Sequence, residues 1–165
     1  MLDTSDLARF LEAHRLEAEI VRLPVDTPTV EAAARAVGAV PGRIVKSLLF
    51  LVDGQPVVVI ACGNQRIEAR AVATHFGLGR KRVRLAGPQA VLDATGYPVG
   101  ALPPFGHRQP LPTLIDRRVL EHDVVYAGGG SIDALLRVAS ADIVRLTRAT
   151  PLDLTSAQTP HAAPV

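Results

Sequence analysis

Two apolar runs separated by Asp53-Gly54 limit this chain more than any other feature. Residues 44–52 read Ile-Val-Lys-Ser-Leu-Leu-Phe-Leu-Val and residues 56–62 read Pro-Val-Val-Val-Ile-Ala-Cys. Asp-Gly suits the positive φ angles of a two-residue hairpin turn, so the runs are predicted to be adjacent antiparallel strands. Both are apolar at almost every position rather than at alternate ones. Such strands belong in the middle of a sheet covered on both faces. With four Phe, two Tyr and no Trp, the cover must come from Val, Leu, Ile and Ala. A length of 165 residues, 48% hydrophobic and 21% charged, fits one domain with a real core. The longest apolar run is far shorter than the ~20 residues of a membrane span.

The remaining elements interleave. Thr4 or Ser5 is expected to cap a helix reaching His14, and residues 17–23 a strand. A second helix over 30–37 starts at Thr27-Pro28 or Thr29 and stops at Gly38. Residues 67–76 and 88–94 suit helices, ended by Gly77 and Gly96. Short strands are expected over 82–85, 111–115, 124–127 and 135–138, with one helical turn over 119–122. Ser140 is expected to cap a last helix over 141–147. There is no strict βαβ repeat, so the predicted class is α+β: one domain over residues 1–150, with a mixed β-sheet and surrounding helices. Beyond Pro151 the chain is rich in Pro, Thr, Ala and Ser, and 151–165 is expected to be a flexible tail.

Four features stand outside this framework. Residues 96–106, Gly-Tyr-Pro-Val-Gly-Ala-Leu-Pro-Pro-Phe-Gly, specify a loop of defined shape with unblocked glycine N–H groups. Such a loop either turns the chain or holds an anion or a carbonyl oxygen. Gly128-Gly129-Gly130 directly follows a strand and allows close backbone approach, as a wide turn or as a ligand cradle. Lys46 interrupts an apolar strand. Either its stem carries the ammonium out to water, or it stands in a cleft wall facing a phosphate or carboxylate. Arg80, Lys81, Arg82 and Arg84 form a basic run, either a solvated face or a surface that steers a polyanion such as RNA.

Several chemistries are not indicated. The five histidines have no zinc-like spacing with each other or with Cys62, so no metal or other cofactor is expected. No Gly-x-Ser-x-Gly elbow is present. Cys62 ends an apolar strand, as a buried and inert thiol would. One cysteine gives no internal disulfide. The first residues lack a basic start followed by an apolar stretch, which predicts a cytoplasmic protein with no membrane contact.

Four blocks together carry a resemblance: Lys46-Ser47-Leu48-Leu49-Phe50, residues 95–106, Pro112-Thr113-Leu114-Ile115-Asp116, and Val125-Tyr126-Ala127-Gly128-Gly129-Gly130. In order and spacing they resemble the YbaK and prolyl-tRNA synthetase-associated editing domain family, over about residues 3–150. The resemblance implies a trans-acting aminoacyl-tRNA deacylase that hydrolyses the ester of a mischarged tRNA, commonly tRNA for proline. It implies Lys46 and Gly100 as catalytic positions. Ser47, Gly96, Tyr97, Ala101, Leu102, Pro103, Pro104, Gly128, Gly129, Gly130 and Ser131 would line the substrate site, and the 80–84 cations would meet tRNA. The implied partners are mischarged tRNA and an aminoacyl-tRNA synthetase. The cysteinyl-tRNA-clearing branch carries a serine at the position of Gly128 and an aspartate near Leu135, and some alanine-clearing members carry a histidine near this strand end. This chain has none of these there; Ser131 and Asp133 are displaced. A small apolar pocket lined by Tyr97 and Phe105 is expected, favouring alanine, serine or 2-aminobutyrate over proline. Two other classes remain open: a non-catalytic tRNA- or synthetase-binding module of the same fold, and a small-molecule carboxylate-binding domain.

Overall fold

In chain order the elements are α1 (Thr4–Ala13), β1 (Glu19–Arg22), α2 (Val30–Val37), β2 (Val45–Val52), β3 (Gln55–Cys62), β4 (Gln65–Ile67), α3 (Ala69–His75), β5 (Val83–Leu85), α4 (Pro88–Thr95), β6 (Thr113–Asp116), β7 (Val124–Gly128), β8 (Ala134–Ala139), α5 (Ser140–Thr147), β9 (Thr150–Leu152) and β10 (Thr155–Ala157). The structure, a computed structural model, describes residues 1–23 and 29–157. Thr27 and Pro28, offered as starts of the second helix, lie outside the described residues; Thr29 is its N-cap and accepts the Ala32 N–H at 3.1 Å.

The β2–β3 hairpin forms around Asp53 and Gly54, with φ angles of 51° and 82°. It is the middle of a five-stranded mixed sheet ordered β5-β2-β3-β6-β9. β3 runs antiparallel to β2 and parallel to β6, and β6 is parallel to β9. A second, antiparallel sheet is ordered β1-β8-β7. The two meet where Ile44 forms a parallel bridge with Tyr126. The α+β class and the mixed sheet are as the sequence predicts.

The two faces bury different residue sets. On one, Val45 and Leu49 of β2, Val58 and Ile60 of β3, and Val125 and Ala127 of β7 join α1, α5 and the 96–106 loop in the main core. On the other, Phe50, Val52, Val57 and Val59 pack under α3. Ile44, Tyr126 and Leu135 pack under α2 on that same side. Side chains alternate along a strand, so Lys46 lies on the face of α2 and α3, away from the main core.

Three expectations need correction. Asp3, not Thr4 or Ser5, caps α1: its side chain accepts the Ser5 and Asp6 N–H groups, and Asp6 accepts the Asp3 N–H in return. Ser140 is the first residue of α5 rather than its cap, and its hydroxyl donates to His122 O at 2.5 Å. The expected flexible tail is ordered through Ala157, because two edges and one buried carboxylate hold it. β9 adds to the free edge of β6, and β10 pairs with β4. Asp116, 2% exposed, accepts the Leu154 N–H at 2.8 Å, the Thr155 hydroxyl at 3.0 Å and the Arg118 N–H at 2.9 Å. Composition marks this segment as irregular, but partners distant in the chain, in β4, β6 and at Asp116, decide it.

Asp116→Ala leaves those donors without their acceptor. We expect a loss of about 3 kcal/mol, or roughly 6–12 °C in Tm, read by thermal unfolding. Limited proteolysis should then cut first between Leu152 and Ala157.

Candidate functional site

Gly128, Gly129 and Gly130 end β7 at a point where three backbones converge. A Cβ built on Gly128 would overlap Leu102 O and stand 2.7 Å from Leu102 C. One on Gly130 would stand 2.9 Å from Thr4 N. Real Cβ atoms do not approach so closely, so glycine is a packing requirement here. The Gly130 N–H donates to Ala101 O at 3.0 Å, and the Gly129 N–H to Ala134 O at 3.1 Å. The glycine triplet and the glycine-proline loop, far apart in sequence, are therefore docked backbone to backbone.

The loop itself is built around a turn. The Ala101 N–H donates to Pro98 O at 3.2 Å, and Gly100 has φ 87° at the third turn position, where a side chain is disfavoured. Gly100 is exposed, and among the described residues nothing accepts its N–H. Downstream, His107 Nε2 lies 2.8 Å from Pro103 O. Burial chiefly holds this imidazole below its ordinary value, and the contact with Pro103 O partly offsets it.

Lys46 stands one strand away. Ile44 and Tyr126 share a face, and alternation puts Lys46 and Gly128 on that same face. The Lys46 ammonium donates to Gln65 O at 2.7 Å and more weakly to Gly63 O at 3.5 Å. Burial lowers its pKa from the ordinary 10.5, partly offset by the Cys62 thiol. It lines a cavity of about 460 Å³ with Leu48 and Phe50 as floor and Arg66, Arg70 and Arg80 around it. Glu68 is the one carboxylate there among the described residues, 3.9 Å from Arg66. This cavity favours an anion. None of its lining residues comes from the 96–106 loop or the glycine triplet, so the structure brings those two together and leaves Lys46 in a separate recess.

Other expected site residues fall differently. Ser47 points into the main core, opposite Lys46, and its hydroxyl has no partner among the described residues. Tyr97 is fully buried, with its phenol pushed up to about 12 by burial. Phe105 is in the same core. Tyr97 holds the loop from beneath, whereas Phe105, though buried, lines a recess with Phe10, His14 and His107. Gly96, Ala101, Leu102, Pro103 and Pro104 are buried as well, which leaves Val99 and Gly100 as the loop's exposed part, with Pro98 and Gly106 half-buried. Ser131 donates to Asp133 at 2.5 Å, the main cause of a lowered Asp133 pKa, and Arg22 bonds both. Cys62 is buried, and burial chiefly, with Asp116 and Glu121, pushes its thiol up to about 11. Its burial is as expected.

The basic run divides. Arg80 reaches the Lys46 cavity. Arg82 is tied to Asp53. Arg84 pairs in register with Leu51, so it lies on the face opposite Leu85 and the cavity. Lys81 is exposed. Arg66 and Arg70 complete the cavity but lie outside the run and are invisible to a reading based on charge density.

The model of the aminoacyl-tRNA editing domain matches residues 25–146. The chain belongs to this family. The editing domain is 29% identical over 123 residues to the multifunctional Ser/Thr-tRNA deacylase ProXp-y of Escherichia coli K12, covering 72% of each chain. It is 33% identical over 105 residues to the proline--tRNA ligase of Acidithiobacillus ferrooxidans, but spans only 18% of that enzyme. Among solved structures it superposes with a TM-score of 0.84 on one proposed as a trans-editing enzyme for prolyl tRNA synthetase, at 33% identity, covering 93% of this chain and 96% of the other. Among the described residues of the editing domain, no helix is long and apolar enough to cross a membrane.

The split of the basic run gives a test on tRNA binding. Neutralising Arg66 and Arg80 together should weaken binding and flatten the salt dependence by up to about two units of slope, since each phosphate contact contributes roughly 0.7–0.9. Neutralising Arg82 and Arg84 should leave the slope unchanged. Filter binding at several salt concentrations measures both.

Proposed function

We propose that this chain hydrolyses, in trans, the ester of mischarged tRNA, with tRNA for proline carrying a small amino acid as the substrate. The observation that carries this reading is the backbone-to-backbone docking of the Gly100 loop on the glycine triplet that ends β7, a strand bridged at Tyr126 to Ile44, two residues before Lys46 and its arginine-lined recess. A substrate with an ester next to phosphates needs both features. The exposed Gly100 N–H would stabilise the carbonyl oxygen as water adds to the carbonyl carbon and the oxygen becomes negative. Lys46, with Arg66, Arg70 and Arg80, would hold the terminal phosphates and so orient the ester. Collapse of the tetrahedral species breaks the bond to the ribose oxygen, which leaves with a proton as a hydroxyl, and releases the free amino acid. No side-chain base is required if the neighbouring ribose hydroxyl positions the water, as the family resemblance implies.

Gly128 bears on selectivity. The loop occupies the space in which the cysteinyl-tRNA-clearing branch places a serine side chain. A small site closed by backbone gives graded discrimination by size, worth ~1–3 kcal/mol per methylene. We expect alanine, serine and 2-aminobutyrate esters to be cleaved faster than proline. The Ser/Thr specificity named for the Escherichia coli relative agrees with a small polar side chain as substrate.

A deacylation panel with tRNA charged with alanine, serine, threonine, cysteine, 2-aminobutyrate and proline tests the reading. Fastest turnover of prolyl- or cysteinyl-tRNA overturns the selectivity; no turnover with salt-dependent tRNA binding overturns the enzyme in favour of a binding module. Lys46→Ala should lower kcat/KM at least ~10²-fold in a folded protein. The pH profile adds a sign. The lysine must be protonated to hold phosphate, and its pKa is depressed. Enzyme-dependent rate, corrected for spontaneous hydrolysis, should therefore turn down below the pH at which a free lysine titrates. Lys46→Arg, whose charge does not titrate, should keep partial activity and lose that downturn.

A further inference from the structure

We infer that Thr4 is a positioning residue of the site: its hydroxyl locks the peptide unit between Gly129 and Gly130, and through it the turn that presents Gly100. The family match begins at residue 25, so α1 lies outside the matched residues.

Asp3 supplies the cap of α1, which frees the hydroxyl of Thr4 for a contact 125 residues away. Thr4 is 8% exposed. Its oxygen lies 3.0 Å from Gly129 O and 3.0 Å from Ser131 Oγ. The Ser131 proton goes to Asp133, so the single Thr4 proton is shared between these two acceptors. Gly129 O and the Gly130 N–H belong to one peptide plane. Thr4 holds its oxygen, and Ala101 O, at 3.0 Å, holds its N–H. Glycine flanks this plane on both sides, so no Cβ opposes its rotation. Two hydrogen bonds at opposite ends are what fix it. Without the hydroxyl, a buried carbonyl loses its partner, the plane is free to turn, and the bond to Ala101 goes with it. Ala101 immediately follows Gly100. A second tie reinforces the brace: the Leu2 N–H donates to Gly96 O at 2.7 Å, at the start of the same loop.

The consequence for turnover rests on the deacylase reading above; the lock itself does not. The test uses the full chain with Thr4→Val, which keeps the shape and removes the hydroxyl, and Thr4→Ser, which restores it. Thr4→Ala replaces valine where the added methyl prevents folding. Two readouts are taken: kcat and KM on the best substrate of the unmodified protein, and amide hydrogen exchange at Gly130 relative to Val59 in β3. The expected result is a Gly130 amide exchanging at least tenfold faster with Val59 unchanged, kcat at least tenfold lower with KM within twofold, and both restored to within threefold by Thr4→Ser. Unchanged Gly130 exchange overturns the lock, whether or not the protein is a deacylase. Faster exchange with kcat within twofold overturns the positioning role. Equal loss at Gly130 and Val59 means general destabilisation and also overturns it. Absence of deacylation in the unmodified protein removes the deacylase reading, and the exchange result then decides the lock alone.

Discussion

The site depends on backbone meeting backbone at the end of β7. Two segments, around residues 101 and 129, come within hydrogen-bond distance only because no side chain stands between them. An approach this close cannot be adjusted by rotamers, since the atoms involved have none. It also fixes which groups remain free. With Gly129 and Gly130 amides committed to Ala134 and Ala101, the exposed Gly100 amide is left to face solvent at a defined angle. Donors of this kind need little reorganisation when charge develops opposite them. The buried ring of Tyr97 supports that geometry from the core side.

Electrostatics is handled separately, in a different recess. Partial burial makes the Lys46 cation more costly to maintain, and two carbonyl oxygens rather than a carboxylate partner it. Carbonyls stabilise an ammonium without neutralising it. Net positive charge therefore remains for a ligand, and the arginines around the cavity add to it with little acid to cancel them. A carboxylate salt bridge at the same place would have spent that charge internally.

The sequence discloses the fold through local patterns: the Asp53-Gly54 hairpin, the glycine-stopped helices and the doubly buried strands are all legible. It discloses the site only as separate pieces. Gly100, Gly128 and Lys46 are identifiable because each breaks the pattern around it. Thr4 and Arg66 break nothing. A threonine at a helix start reads as a cap, and Gln65-Arg66-Ile67 is too short to show a period, so β4 leaves no local sign. Ser47 and Tyr97 fail in the opposite direction. They lie beside marked residues in sequence, yet strand alternation and the loop's packing turn them into the core. The order of residues 150–157 depends on Asp116 and on sheet edges that no local window contains.

The pairing of β9 with β6 and of β1 with β8 also bears on how the chain is made. β1 ends at Arg22, but its partner strand begins at Ala134. The edge of β6 is not covered until Leu152 has been synthesised. At translation rates of roughly 5–20 residues per second, the β2–β3 hairpin is out for about a second or more before β5 follows, and for several seconds before β6 does. During that interval an apolar strand pair has open edges, the condition under which chains associate with one another. Nascent-chain binding by a chaperone, or slow growth conditions that let closure keep pace, would therefore matter more for this protein than its modest size suggests.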